Sequence, residues 1–271
     1  MRSAWLKGCD HLELGAIETR AEAAAAVALS IGGAKKAYSH TDPNEDGALF
    51  ALGDGGALLA VVDGHGGTDA ADTVLGHLLD HWAPRWIAAD SRLSGAWQSE
   101  ALAALVAANE AITKQAADGG RRHSRTTLAL AVVRPAEGFL FFLSIGDSHV
   151  YQVRRDAAHD LACELSPTGE GFFLGVERET EDSLREKCVI GAETLVGVRA
   201  VVLASDGLSE RQIGVDDPDV TVAEVVQQAC GAPLALRALE TARGVVQAAL
   251  EAHRRQPSGD NVATAVLWLE P

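Results

Sequence analysis

Residues 56–67 read GALLAVVDGHGG. Six apolar residues, Ala57 to Val62, run into Asp63 and then into a glycine-rich stretch. The run is too short for a helix and rich in Val and Leu, so it reads as a buried strand ended by a turn. Asp63 therefore sits against a surface that folding buries, where a carboxylate is costly unless it is paired or bound to a cation.

The same arrangement recurs along the chain. Asp147 closes FLFFLSIGD (139–147), Asp206 lies at the end of VVLASDG (201–207), and Asp260 opens DNVATAVLWL (260–269). Further strand-like runs are RTTLALAVVR (125–134) and SHVYQVRR (148–155). Tight turns such as Pro135–Gly138 join several of them, which makes neighbouring strands mostly antiparallel. For any one aspartate, the Asp-Gly turn dipeptide is explanation enough. Recurrence at four strand ends, with too few nearby Lys or Arg to pair them all, points instead to a bound metal.

Oxygen ligands without a Cys or His cluster select hard cations, Mg²⁺ or Mn²⁺. Two such ions would hold a bridging hydroxide for in-line attack at phosphorus, so the expected chemistry is metal-assisted phosphoester hydrolysis.

Helical periodicity falls between the strand blocks. Ala71, Val74, Leu75, Leu78, Leu79 and Trp82 repeat at helical spacing, followed by Leu102, Leu105, Val106 and Ile112. A second pair contains Val222, Val225, Val226 and Ala229, then Leu236, Leu239, Val246 and Leu250. Strand blocks separated by helix pairs predict an α+β layered architecture. Alanine content predicts one more helix, from Thr19 to Ser30. Residues 1–33 read as an N-terminal extension packed on the domain, and 34–271 as one catalytic domain.

Among the 271 residues, 38 acidic against 23 basic give a net charge of −15, which opposes nucleic-acid binding. Cys9, Cys163, Cys188 and Cys230 lie far apart without a CxxC pair, which fits a reducing compartment rather than a disulfide framework. No apolar run is long enough to span a bilayer. A soluble, cytoplasmic monomer is expected.

NED (44–46), VVDGHGG (61–67), TTLALAVV (126–133), IGDSHVY (145–151), LASDGLSE (203–210) and GDNVATAVL (259–267) occur in the order and approximate spacing found in metal-dependent protein phosphatases. From about Tyr38 to Leu269 the chain resembles the type 2C Ser/Thr phosphatases. The resemblance implies a four-layer α-β-β-α sandwich of two antiparallel sheets flanked by helix pairs. It also implies a binuclear Mn²⁺/Mg²⁺ centre and phosphoserine or phosphothreonine in proteins as substrate.

By motif position, Asp63 matches the carboxylate bridging both ions, and Gly64 the residue offering a backbone carbonyl. Asp46 matches a ligand on one side, with Asp206 and Asp260 on the other. Glu45 matches a residue contacting metal-bound water, and Asp147 the position of a third, weaker metal. His65 matches the general acid that protonates the leaving oxygen; the plainer alternative is a loop histidine oriented by a carboxylate. Gly66 and Gly67 fit a tight strand-to-helix turn, and Asp42 with Pro43 fits a turn that sets the Glu45–Asp46 wall. His77, His81 and His253 read as ordinary helix residues.

Two departures stand out. Most relatives carry an arginine four residues before the metal-binding glutamate, and here Thr41 takes that place. Arg125 is the first substitute for gripping phosphate, with Lys35 and Lys36 as others; the alternative is a solvated Arg125 at a strand edge. Where many relatives carry a long flap, only PTGEG (167–171) connects a strand at LACELS (161–166) to FFLGV (172–176), so a more open groove is expected. The leading expectation is a phosphoprotein phosphatase. The alternatives are a phosphatase-like binding or sensing module, since the usual arginine is absent, and a hydrolase of small phosphoesters.

Overall fold

Strands that are apolar at nearly every position must be covered on both faces. An antiparallel sheet with one wet face would alternate instead. The computed structural model describes residues 1–36, 41–119, 124–155, 157–162, 172–177, 179–256 and 258–269. Its first sheet has the spatial order β1 (Arg2–Lys7), β4 (Gly47–Leu52), β5 (Ala57–Val62), β8 (Leu128–Arg134), β9 (Phe139–Ile145), β12 (Cys188–Thr194). The second runs β11 (Ala158–Asp160), β10 (His149–Val153), β13 (Ala200–Ala204), β14 (Val262–Trp268), β3 (Ala25–Ser30), β2 (Glu18–Glu22). All pairings in both sheets are antiparallel. A short ribbon joins β6 (Gly64–His65) to β7 (Arg125–Thr126).

Three apolar layers separate four structural ones. On β5, Leu58, Ala60 and Val62 face α1 (Asp69–His77) and α3 (Trp97–Gly119), meeting Val74, Leu75 and Leu105. Ala57, Leu59 and Val61 face the other sheet through Val27, Leu203 and Ala265. Beyond that sheet, α5 (Pro218–Ala229) and α6 (Arg237–Arg255) cover Ala26, Ala28, Val202 and Val266 with Val222, Val246 and Leu250. Each fully buried Leu or Val contributes about 1.5–3 kcal/mol. The remaining helices are α2 (Ala83–Trp86), continuous with α1 through a π-turn at Leu78–Trp82, and α4 (Glu181–Lys187). This is the expected α-β-β-α sandwich.

The helix expected over Thr19–Ser30 is instead the β2–β3 hairpin, turned at Ala23 with φ 51°. Helix propensity is a weak preference. Here it yields to burial: β3 lies between β14 and β2, fully buried on both faces, and its alanines let α6 approach closely. Sequence reading also missed β1 and β12, and placed a strand at 161–166 where Leu161 and Ala162 form a turn after β11. The rest of that segment, and PTGEG with it, lies outside the described residues.

Arg134 and Glu137 pin the β8–β9 turn to the chain after α2. Arg134 is fully buried and donates to Trp86 O (3.1 Å), Ala88 O (2.7 Å), Ser91 O (2.6 Å) and Glu137 Oε1 (3.1 Å). Glu137 also accepts from Leu93 N and from Ser94 N and Oγ.

Candidate metal centre

Register brings the carboxylates together. Gly47 of β4 pairs with Val62 of β5, so Asp46 and Asp63, one residue beyond each, emerge side by side from the first sheet. In the second sheet Ala204 pairs with Thr264, and Asp206 and Asp260 lie just past the corresponding ends of β13 and β14. Asp147 arrives from the β9–β10 turn. Carboxylate oxygens of Asp63, Asp147 and Asp206 lie within 4.8 Å of one another, as do those of Asp206, Glu210 and Asp260. Ser205 bridges the sheets, its hydroxyl donating to Asp46 Oδ2 (2.7 Å) while accepting from Ala263 N (2.8 Å).

So much buried negative charge resists ionisation. Burial, then repulsion from Asp206, Asp46 and Asp260, pushes the Asp63 carboxyl well above its usual range. Asp206 is raised in the same way, by burial and then by Asp147 and Asp260. Glu210 is pushed up to about 8 by burial and the neighbouring Asp260. Asp46 rises only to about 6, because Lys36 and the Ser205 hydroxyl partly offset its burial. Lys36 is nearly buried, its Nζ 2.8 Å from Asp260 Oδ1 and 2.6 Å from Asn261 Oδ1.

Backbone bonds hold the ligand-bearing loops. Asp63 O accepts from Thr126 Oγ1 and Thr127 N, both at 2.9 Å, and Asp63 N donates to Thr127 Oγ1 (3.0 Å). Glu45 turns its carboxylate to the N–H groups of Thr41 (3.0 Å), Asp42 (2.9 Å) and Gly66 (3.3 Å). Asp42 Oδ2 in turn accepts from Thr68 N (3.1 Å), tying this wall to the start of α1 as the Asp42–Pro43 turn suggested. Gly66 and Gly67 have φ of 84° and 124°, a conformation that favours glycine.

His65 Nδ1 lies 3.5 Å from Asp63 Oδ2, and its ring is 4.6 Å from that of Phe173. Arg125 is exposed, paired across the ribbon with His65, its guanidinium 5.1 Å from the same Phe173 ring. Thr41 is exposed at the rim. His253, as expected, is a satisfied core residue between Gly33 N and Gly207 O.

A family model described as protein phosphatase 2C matches residues 34–252. The chain belongs to the protein phosphatase 2C family. Its fold also matches solved phosphatase structures over almost their whole length. With Stp1 from Staphylococcus aureus the TM-score is 0.63 at 18% identity, covering 96% of this chain and 98% of that one. With PstP/Ppp from Mycobacterium tuberculosis it is 0.59 at 22%, covering 94% and 99%. The catalytic domain of PstP in complex with two manganese ions gives 0.59 at 22%, covering 93% and 99%. A search of curated protein sequences returned no match.

Three residues in and around the acidic cluster escaped sequence reading. Glu210 follows Asp206 by four residues; both Ser209 N and Glu210 N donate to Asp206 O, closing a turn that swings the Glu210 carboxylate toward Asp260. The one-turn spacing within LASDGLSE was the available signal. Asn261 accepts from Lys36 and from Glu45 N (2.9 Å), and its amide donates to Ile31 O and Pro43 O, both at 3.1 Å. His149, buried, joins Asp160 Oδ2 through Nδ1 and Ser209 Oγ through Nε2, each at 2.5 Å. The connectivity is that of a Ser-His-Asp relay. With the adjacent N–H groups committed to Asp206 O, its effect is to brace the acidic turn.

Proposed function

We propose that the chain hydrolyses phosphoserine and phosphothreonine in protein substrates, using two Mn²⁺ or Mg²⁺ ions, with a third, weaker ion at Asp147. The observation that carries this reading is the convergence of Asp46, Asp63, Asp206 and Asp260 from strand ends of both sheets. The donor set fits hard cations: it is all oxygen, its mutual repulsion calls for positive charge, and Glu210 Oε2 is buried without a hydrogen-bond partner among the described residues. Asp63 would serve both ions, Asp46 with the Gly64 carbonyl one of them, and Asp206 with Asp260 the other. Bound there, the ions would neutralise the carboxylates and supply Lewis acidity toward water and a phosphoryl oxygen.

The protein's own groups do the rest. Arg125 grips the phosphate in the role that Thr41 cannot fill, since a hydroxyl brings no charge. His65 donates a proton to the leaving serine or threonine oxygen, its ring oriented by Asp63 and Phe173. Glu45 orders the loops on which Thr41 and Gly66 sit and keeps them over the centre.

The test is hydrolysis of p-nitrophenyl phosphate and a phosphothreonine peptide with Mn²⁺. The expectation is turnover of both, abolished by chelator and reduced at least about a hundredfold by Asp63→Ala. No turnover of either substrate would leave a binding module. Turnover of the small ester alone would indicate a small-phosphoester hydrolase.

A further inference from the structure

Beside the metal centre lies a recess of about 370 Å³, within the size range of ligand pockets. Leu14, Ile31, Ala34 and Pro43 give it an apolar lining, and Lys35, Lys36 and Thr41 complete its described wall. Resting on the phosphatase reading, we propose that this recess is a subsite for the substrate chain next to the phosphorylated residue. It selects an apolar side chain accompanied by a carboxylate.

Location comes first. Two of its walls are one bond from the acidic centre: Lys36 Nζ reaches Asp260 Oδ1, and Thr41 N reaches Glu45 Oε1. A chain spans about 3.3–3.6 Å per residue, so a recess whose walls contact the acidic residues is within reach of the immediate neighbours of a phosphoresidue bound there. Chemistry comes second. In a chain of net charge −15, the charged residues among the described lining are both lysines. Lys36 is turned inward to Asp260 and Asn261, whereas Lys35 is exposed at the rim, where it meets an acidic neighbour of the phosphoresidue.

Preorganisation is the third strand. Leu12 and Leu14 are 53% and 49% exposed, and a scattered surface leucine needs no explanation. These two, however, sit on a loop fastened on several sides. Gly15 N donates to Gly32 O (2.8 Å), Asn44 Nδ2 to His11 O (3.3 Å), and Gly8 N to Asp46 O (2.9 Å). Leu14, carried on a fastened loop at the wall of this recess, binds with less backbone ordering than a residue on a free loop would need. The N-terminal segment thereby acquires a task in substrate choice.

The experiment compares two phosphothreonine peptides, one flanked on both sides by Leu and Glu and one by Ser and Lys, with p-nitrophenyl phosphate as a substrate without flanks. All are assayed on the Mn²⁺-loaded protein. The Leu/Glu peptide should have a KM lower by about tenfold. Leu14→Ser should remove most of that advantage, and Lys35→Glu should shift the preference toward the Lys-flanked peptide by about threefold. Leu14 is surface-exposed, so Leu14→Ser should fold and turn over p-nitrophenyl phosphate as the wild type does, while Lys35→Glu is read only by the ratio of its KM values for the two peptides. Equal KM values for the two peptides, or variants that leave the preference intact, would overturn the subsite alone. Absence of turnover with every substrate would overturn the phosphatase reading and the subsite with it.

Discussion

Thr41 offers a phosphate one hydroxyl and no charge, while Arg125 brings a guanidinium on the strand paired with His65. If Arg125 carries the phosphate, Arg125→Ala should raise KM for a phosphothreonine peptide about tenfold and change kcat much less. An unchanged KM would make it the solvated strand-edge residue that its exposure also permits. Asp63, Asp206 and Asp260 were legible as members of one acidic cluster because each abuts an apolar run, so burial of a carboxylate could be read from one segment. Glu210, Asn261 and His149 were not, because what each does depends on a partner brought from another loop. Asn261, for instance, meets Glu45 N across 216 residues of sequence.

Continuous apolar runs and strong helical periods were easily read, as in β5 and β8 and in α3 and α6. Segments where composition and burial disagree were not. Alanines in β3 signal helix to a local reading, yet their small size is what a strand clamped beneath α6 requires. In β12, Gly191 interrupts the strand pattern, and a Cβ there would lie 2.3 Å from the Phe142 ring. The turn between β8 and β9 shows how a loop can carry stability. Burial alone would raise the Glu137 carboxyl, but hydrogen bonds from Ser94, Leu93 and Arg134 outweigh it and hold the group at about 2, against an ordinary 4.5. A depressed carboxylate stabilises the fold above its unfolded value, and the benefit fades as pH falls from about 4.5 towards 2. It amounts to about 3 kcal/mol at neutral pH. Denaturant titration of Glu137→Gln should show a loss of that order at pH 7 and about half of it or less at pH 3; equal losses at both would refute the charge-based account.

Across the whole molecule, strand ends of both sheets bring the acidic residues together. Layering and antiparallel pairing were readable because helix pairs separate the strand blocks, whereas the share of residues 2–30 in both sheets depended on long-range pairing. Because Asp63, Asp206 and Glu210 have raised values, the metal-free fold binds more protons than the unfolded chain. Its stability from this cluster therefore falls as pH rises from the ordinary carboxylate range towards about 8. Mn²⁺ should raise the melting temperature more at pH 8 than at pH 5.5, a difference that calorimetry can measure. Equal shifts at both would count against the cluster as the binding site. The central claim, that these carboxylates form a divalent metal centre, is tested most directly by anomalous diffraction from crystals grown with Mn²⁺. The account predicts at least two peaks, between Asp46, Asp63, Asp206 and Asp260; a Mn²⁺-saturated crystal with no peak among these residues would contradict it.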